Sequence, residues 1–325
     1  MYIYHLDSSD NNLLNELIQL INIIPNETPE LFIAQVSNLV NFLPINIKIF
    51  LEKFIKNNFK NGFILLKNIF INENIPLPDT PPDNNYFIGE KTKLAKIIAI
   101  LNQYLGEMIS YEGEGYGRLF QDIVPKQSLS KTQTSLSSNV ELEIHTEQAF
   151  SDLRPEILTL GCLRGDESAI TYILPVNVIL NQMDESKINL LRKPLWKIGV
   201  DLSFKINCDE FINGELRGPL PIIYGSEKDP LLVFDQDLMI GINEEAEKLK
   251  NEIIQIYYEY RYSHVLKPGE IIFIDNKRAV HGRSRFNPKF DGTDRFIIRS
   301  FVLFNIENCK NAINLNKRMV LAKYS

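Results

Sequence analysis

Histidine and cysteine are scarce in this sequence, with four and three among 325 residues. The cysteines, Cys162, Cys208 and Cys309, are odd in number, far apart and form no C-x-x-C pair. That leaves ordinary thiols in a reducing compartment as the reading, with a catalytic cysteine as the alternative. Positive charge is not in excess: the net charge is -6 and the pI about 5.4. A nucleic-acid partner is therefore not expected, since it calls for a basic field. No apolar run approaches the roughly 18 residues of a membrane span. The N-terminus is polar by Ser8 and lacks the apolar stretch of a signal peptide. These absences predict a soluble, cytoplasmic chain with no membrane partner. No internal repeat, low-complexity tract or acidic tail is present either.

What is present suffices for a large core, since 44% of the residues are hydrophobic. The length suits one large domain or two ordinary ones. Leu13, Leu14, Leu17, Leu20 and Ile21 have helical spacing, which predicts a helix over Asn11–Ile24. Thr28 and Pro29 are an N-cap and first helical residue for a second helix, ended by Leu43-Pro44. Ile47–Ile55 is a short third helix, Gly62–Leu66 a buried strand and Pro76–Asn85 a loop. Lys91–Met108 returns to helical spacing. From Arg118 onward short strand-like runs follow one another: Arg118–Val124, Ile157–Leu163, Ala169–Leu174, Leu231–Phe234, Glu270–Ile274 and Phe296–Phe304. The pattern is irregular over Lys187–Gly225, which suits a lid or an insertion. The expectation is a single α+β domain over 1–325. Residues 1–115 form a mostly helical N-terminal part, and 116–305 a jelly-roll core (a double-stranded β-helix) with surrounding helices and a lid at about 187–225.

Two of the four histidines carry the chemistry. His145 and Glu147 form H-x-E, and on an extended strand residues i and i+2 share a face. His281, far along the chain, is the candidate third ligand. Two imidazoles and a carboxylate leave three positions open on an octahedral iron(II): two for a bidentate 2-oxo acid and one for O₂. Zinc is the rival metal for this set. Arg295 and Arg299 lie four apart in a strand-like run, on one face by period two. A buried guanidinium needs an anion and binds carboxylate in a planar fork. One arginine would fit the distal carboxylate of 2-oxoglutarate and the other a substrate carboxylate. The alternative is two surface arginines on an edge strand.

Three blocks carry a family resemblance: His145–Phe150 followed by Ile157–Arg164, then Phe273–Ser284, then Phe290–Arg295. In this order and spacing the chain resembles the clavaminate synthase-like iron(II)/2-oxoglutarate oxygenases over about residues 115–305. Within them it is most similar to hydroxylases of free arginine, asparagine and lysine. The resemblance implies His145, Glu147 and His281 as iron ligands. It implies Arg295 on the distal carboxylate of 2-oxoglutarate, with the Thr171 hydroxyl assisting. It implies Arg299 on the substrate α-carboxylate, Gln121 on the α-amino group and a backbone contact from Ser135. Asp235 and Asp237 resemble the acid pair that arginine hydroxylases place around the guanidinium. Paired acids without a metal prefer a cation, so a basic amino acid is expected: arginine, then lysine or ornithine. A solvated turn is the other reading of that pair. Desaturation or cyclisation, and a carrier-bound substrate, stay open, as does the oligomeric state. A non-catalytic jelly-roll binding protein and a zinc hydrolase are the alternatives of other classes. The latter has no third histidine near His145 and no use for Arg295 and Arg299.

Overall fold

The computed structural model describes residues 2–56, 60–71, 76–208, 211 and 214–325. Sheets and helices are mixed. The largest sheet has nine strands. Its centre runs Phe63–Lys67, Ile271–Asp275, Ile157–Arg164, Phe296–Leu303, Glu107–Tyr111, and Gln121–Ile123 also pairs with Phe296–Leu303. A four-stranded sheet runs Tyr262–Val265, Ile170–Pro175, Ala279–Arg283, Leu142–His145.

Both faces of the large sheet are covered, which is why its central strands read as unbroken apolar runs and not as alternation. Ile297 and Phe301 belong to one buried cluster, while Phe296, Ile298 and Val302 belong to another. The second cluster holds the helix Lys93–Leu105, packed on the outer face of the large sheet. A Cβ on Gly161 would come within 2.4 Å of Ile98 Cδ1 there, so glycine permits the close approach of helix and strand. Asn102 fixes that approach, donating to Ser300 Oγ (2.7 Å) and accepting from Thr159 Oγ1 (2.7 Å). The first cluster lies between the two sheets, where the Phe63 ring meets Tyr262 at 4.8 Å.

The helix Glu244–Tyr260 covers the outer face of the small sheet, with Tyr257 edge-on to Tyr172 and Arg261 over the Tyr172 ring. No strand run announced it, yet its signals are ordinary. Asn243 caps Ala246 N at 2.9 Å, three glutamates occupy the first turn, and Ala246, Leu249, Ile253, Ile256 and Tyr257 are buried.

The N-terminal helices are Ser8–Gln19, Pro29–Ser37 and Ile45–Ile55. Pro29 opens the second as expected, although Thr28 makes no side-chain cap bond. The expected helix over Lys91–Met108 ends at Leu105. Gly106 caps it, and the chain turns into the strand Glu107–Tyr111. A Cβ at Gly106 would fall 2.4 Å from the Leu303 carbonyl oxygen, so glycine is needed where the chain turns back onto the sheet. The stretch 187–225 is more ordered than its sequence suggests. Trp196–Gly199 and Leu216–Leu220 join Met239–Gly241 in a three-stranded sheet, and Leu202–Asn207 is helical. Residues 209–210 and 212–213 of that stretch lie outside the described residues. No disulfide joins the cysteines, all three of which are buried. No helix among the described residues is long and apolar enough to cross a membrane.

Candidate active site

The strands Leu142–His145 and Ala279–Arg283 are antiparallel neighbours, and His145 sits opposite His281 in their register. Glu147 joins them from beyond the end of its strand, in a turn where Gln148 has φ +51°. Strand alternation therefore does not place the carboxylate. Asn276 does: it accepts from Glu147 N (2.7 Å) and donates to Glu147 O (3.1 Å) and Pro155 O (2.8 Å). The ligand-type atoms of His145, Glu147 and His281 lie within 4.8 Å of one another. Glu147 Oε1 is 3.3 Å from His281 Nε2 and 4.0 Å from His145 Nε2. The Nδ1 of His145 lies 2.8 Å from the Glu143 carbonyl oxygen. A proton there leaves the Nε2 lone pair facing the cluster. Burial and the neighbouring His281 push His145 down to about 4, so its ring is neutral at pH 7. Burial alone would raise Glu147, but Arg299 and His281 outweigh it and hold the carboxylate well below its usual range. Two imidazoles and an ionised carboxylate are a donor set for a divalent transition metal.

An inner recess of about 50 Å³ and an outer cavity of about 670 Å³ adjoin this cluster. The recess lies between the sheets, lined by Thr171, His281 and Arg283 from one and by Leu160, Arg295 and Arg299 from the other end of the gap. Arg295 is only 6% exposed, and among the described residues it forms no ion pair, with Asp166 attracting it only at longer range. Burial pushes it down to about 10, still charged at neutral pH. Such an orphaned cation in a recess with room for a ligand suits a carboxylate.

The outer cavity is acidic. Glu114, Glu143, Glu147, Asp201, Asp235 and Asp237 line it, against Lys126, Lys205 and Arg299. Asp235 is carried by a segment hydrogen-bonded to the ligand strand. Thr146 N donates to Phe234 O at 2.8 Å, Gln236 N donates to Ile144 O at 2.9 Å, and Asp235 pairs opposite His145. Asp235 is buried and Asp237 exposed, both on the cavity wall. Burial, with Asp237 adding to it, raises Asp235 to about 7 against the pull of the Leu238 N–H. Burial likewise raises Asp201, reinforced by Asp235, Glu114 and Glu147.

Arg299 is buried, like Arg295, which removes the reading of two surface arginines. It donates to Glu147 Oε2 (3.2 Å), to Glu114 Oε1 and, through Nε, to Gln121 Oε1 (2.9 Å). Gln121 does not line either space; its oxygen is directed at Arg299. Ser135 lines both spaces, with its carbonyl accepting from Arg283. Four residues of this neighbourhood had no role in the sequence reading: Glu114, Asp201, Asn276 and Arg283. Asn276 and Arg283 lie inside the Phe273–Ser284 block, a usable signal. Glu114 is marked only by the glycine-rich turn that follows it, where a Cβ on Gly115 (φ +56°) would fall 2.2 Å from Gln121 Cδ.

The match to known proteins agrees with this chemistry. Residues 222–300 match the family model described as taurine catabolism dioxygenase TauD, TfdA family. The chain is 41% identical over 320 residues to an L-lysine 3-hydroxylase of Catenulispora acidiphila, covering 98% of this chain and 89% of the other. It is 27% identical over 309 residues to an L-asparagine oxygenase of Streptomyces coelicolor, covering 94% and 90%. A solved asparagine oxygenase in complex with Fe(II), 2S,3S-3-hydroxyasparagine and succinate superposes with a TM-score of 0.91 at 26% identity, over 99% of both chains.

Proposed function

The chain belongs to the TauD/TfdA family of iron(II)- and 2-oxoglutarate-dependent oxygenases, and from that premise we propose that it hydroxylates a free L-amino acid with a basic side chain. The observation that carries the substrate class is the acidic wall of the outer cavity, where Asp201, Asp235 and Asp237 face the space beside the metal cluster. L-Lysine stands ahead of arginine and ornithine, because the relative at 41% identity is a lysine hydroxylase. That reverses the order expected from the acid pair alone.

In this reading His145, Glu147 and His281 hold the iron, and Asn276 holds Glu147. Iron(II) bound there, with 2-oxoglutarate and O₂, supplies the oxidant for an unactivated C–H bond and yields succinate and CO₂. The guanidinium of Arg295 takes the distal carboxylate of 2-oxoglutarate, with Thr171 beside it in the recess. Arg299 and Glu114 are adjacent and of opposite charge at the cavity wall, an arrangement suited to the α-carboxylate and α-ammonium of a zwitterion. Gln121 orients Arg299. Asp235 and Asp237 receive the side-chain cation, and Asp201 closes the same wall from the segment that we read as the lid. Fixing both ends of the substrate sets which carbon faces the iron, and a shift of about 1 Å could cost on the order of 100-fold in rate. The two facing sheets are read as a jelly-roll, and the chain as one domain.

The test is iron stoichiometry together with turnover. Wild-type protein reconstituted with iron(II) should retain one iron per chain and convert 2-oxoglutarate to succinate in the presence of lysine. His145→Ala should lose both. Full turnover by that variant contradicts the ligand assignment.

A further inference from the structure

Arg283 ends the strand that carries His281 and, two residues on, projects to the same side. It is 4% exposed and lines the inner recess beside Arg295. Its hydrogen bonds all go to neutral acceptors: Nε to Ser284 O (3.1 Å), Nη1 to Ser135 O (3.2 Å) and Nη2 to Ser137 Oγ (3.0 Å). The Phe286 ring lies 4.9 Å from the guanidinium carbon. No carboxylate among the described residues forms an ion pair with it or with Arg295, which Asp166 attracts only at longer range.

Arg283 and Arg295 therefore share one small recess with Arg299, and Glu147, the carboxylate that also lines it, pairs with Arg299 and with neither of them. Like charges brought together out of water destabilise the fold unless a ligand completes the set. The distal carboxylate of a 2-oxo diacid has two oxygens, one for each of these guanidinium groups, and a 2-oxo monoacid offers neither. Arg283 also has a second attachment. Ser135 and Ser137 belong to the loop over residues 127–138, of which Leu129, Thr132, Gln133, Thr134, Ser135 and Leu136 line the outer cavity.

We propose that Arg283 is a second anion-recognising residue of the cosubstrate recess, selecting a dicarboxylate, and that through Ser135 and Ser137 it couples cosubstrate binding to the wall of the substrate cavity. The proposal rests on the assignment of the recess to 2-oxoglutarate. The guanidinium keeps its serine contacts on the loop side and presents its remaining edge to the ligand, so filling the recess fixes the loop.

The test measures binding without turnover. The full chain is loaded with manganese(II), which replaces iron without the redox chemistry, and titrated calorimetrically with 2-oxoglutarate and with 2-oxobutyrate, which lacks the distal carboxylate. Arg283→Met should weaken 2-oxoglutarate about tenfold or more and 2-oxobutyrate by less than about threefold, and Arg283→Lys should recover most of the loss. Equal weakening of both ligands would reduce Arg283 to a structural residue and overturn the proposal. An Arg295→Met control separates the layers. If it abolishes the preference for 2-oxoglutarate while Arg283→Met does not change it, the inference about Arg283 fails alone. If neither changes it, the assignment of the recess fails. Ser137→Ala keeps the charge in the recess and removes one loop contact. In wild type 2-oxoglutarate should slow deuterium uptake in residues 127–138, and in Ser137→Ala that protection should be lost. Identical protection in both overturns the coupling.

Discussion

Replacing Arg295 by methionine should move stability and binding in opposite directions. The guanidinium is buried and forms no ion pair with the described residues, so the fold bears its desolvation with only the longer-range attraction of Asp166 against it. Replacing even a buried ion pair by apolar side chains of similar size is often neutral or stabilising by about 1–4 kcal/mol, and an unpaired guanidinium has less attraction to lose. With specific unfolding entropies scaling to a chain of this length, such a gain corresponds to a rise in Tm of roughly 2–6 °C. Methionine is unbranched and close enough in length to fill the space without a cavity. The ligand response should go the other way. At about 100 times its dissociation constant, 2-oxoglutarate stabilises the manganese-loaded wild type by about 2.7 kcal/mol, roughly 4 °C. Arg295→Met should show almost none of that shift. The assay is thermal unfolding of both proteins with and without 2-oxoglutarate. A variant less stable than wild type that still gains the full ligand shift would refute the claim that Arg295 is an unpaired cation awaiting a carboxylate.

Three further outcomes follow from the same site. Asp235→Ala should raise KM for a basic substrate by at least about tenfold and leave KM for 2-oxoglutarate within about twofold; steady-state kinetics with each varied in turn checks this, and equal effects count against the substrate role. Asn276→Ala frees the Glu147 backbone on both sides and should weaken metal retention about 10–100-fold, read by competition with a chelator, while the fold measured by circular dichroism is kept. The pH dependence is set by Asp235, whose carboxyl is raised to about 7 by burial. Its folded pKa exceeds its unfolded value, so the folded chain binds the extra proton between about pH 4 and 7, and this group's contribution to stability is lost as pH rises through 7. The ionised form is the one that attracts a cation. KM for lysine should therefore fall between pH 6 and 8 in wild type and stay flat in Asp235→Asn.

Much of the metal cluster was legible because histidine is rare: with four in the chain, H-x-E and one distant histidine leave few combinations. The strands at the centre of the large sheet were legible for a different reason. Burial on both faces makes Phe296–Leu303 and Ile157–Arg164 apolar throughout. Glu147 lies beside His145, but a turn held by Asn276 positions it where strand alternation had been expected to. The helix Glu244–Tyr260 was missed although its cap, acidic first turn and spacing were present, because neighbouring strand-like runs dominated the reading of that half. The junction at Gly106 was hidden because Met108 and Ile109 prolong the apolar spacing of the helix into the next strand. Asp201 has no signal in the sequence, and Glu114 only the glycine-rich turn beside it. Each stands alone locally, and only the fold brings Glu114 to Arg299 and Asp201 to the wall that carries Asp235.

The most direct test of the central claim is product analysis. Iron(II)-loaded enzyme is prepared anaerobically with 2-oxoglutarate and a panel of free L-amino acids, started with air and read by mass spectrometry. Succinate is expected together with a product one oxygen atom heavier than lysine, with arginine or ornithine following more slowly. A hydroxylated product from asparagine or another neutral amino acid, with none from the basic ones, would contradict the role of the acidic wall. Absence of succinate with every member of the panel, in protein shown to hold iron, would contradict the oxygenase chemistry assigned to the site.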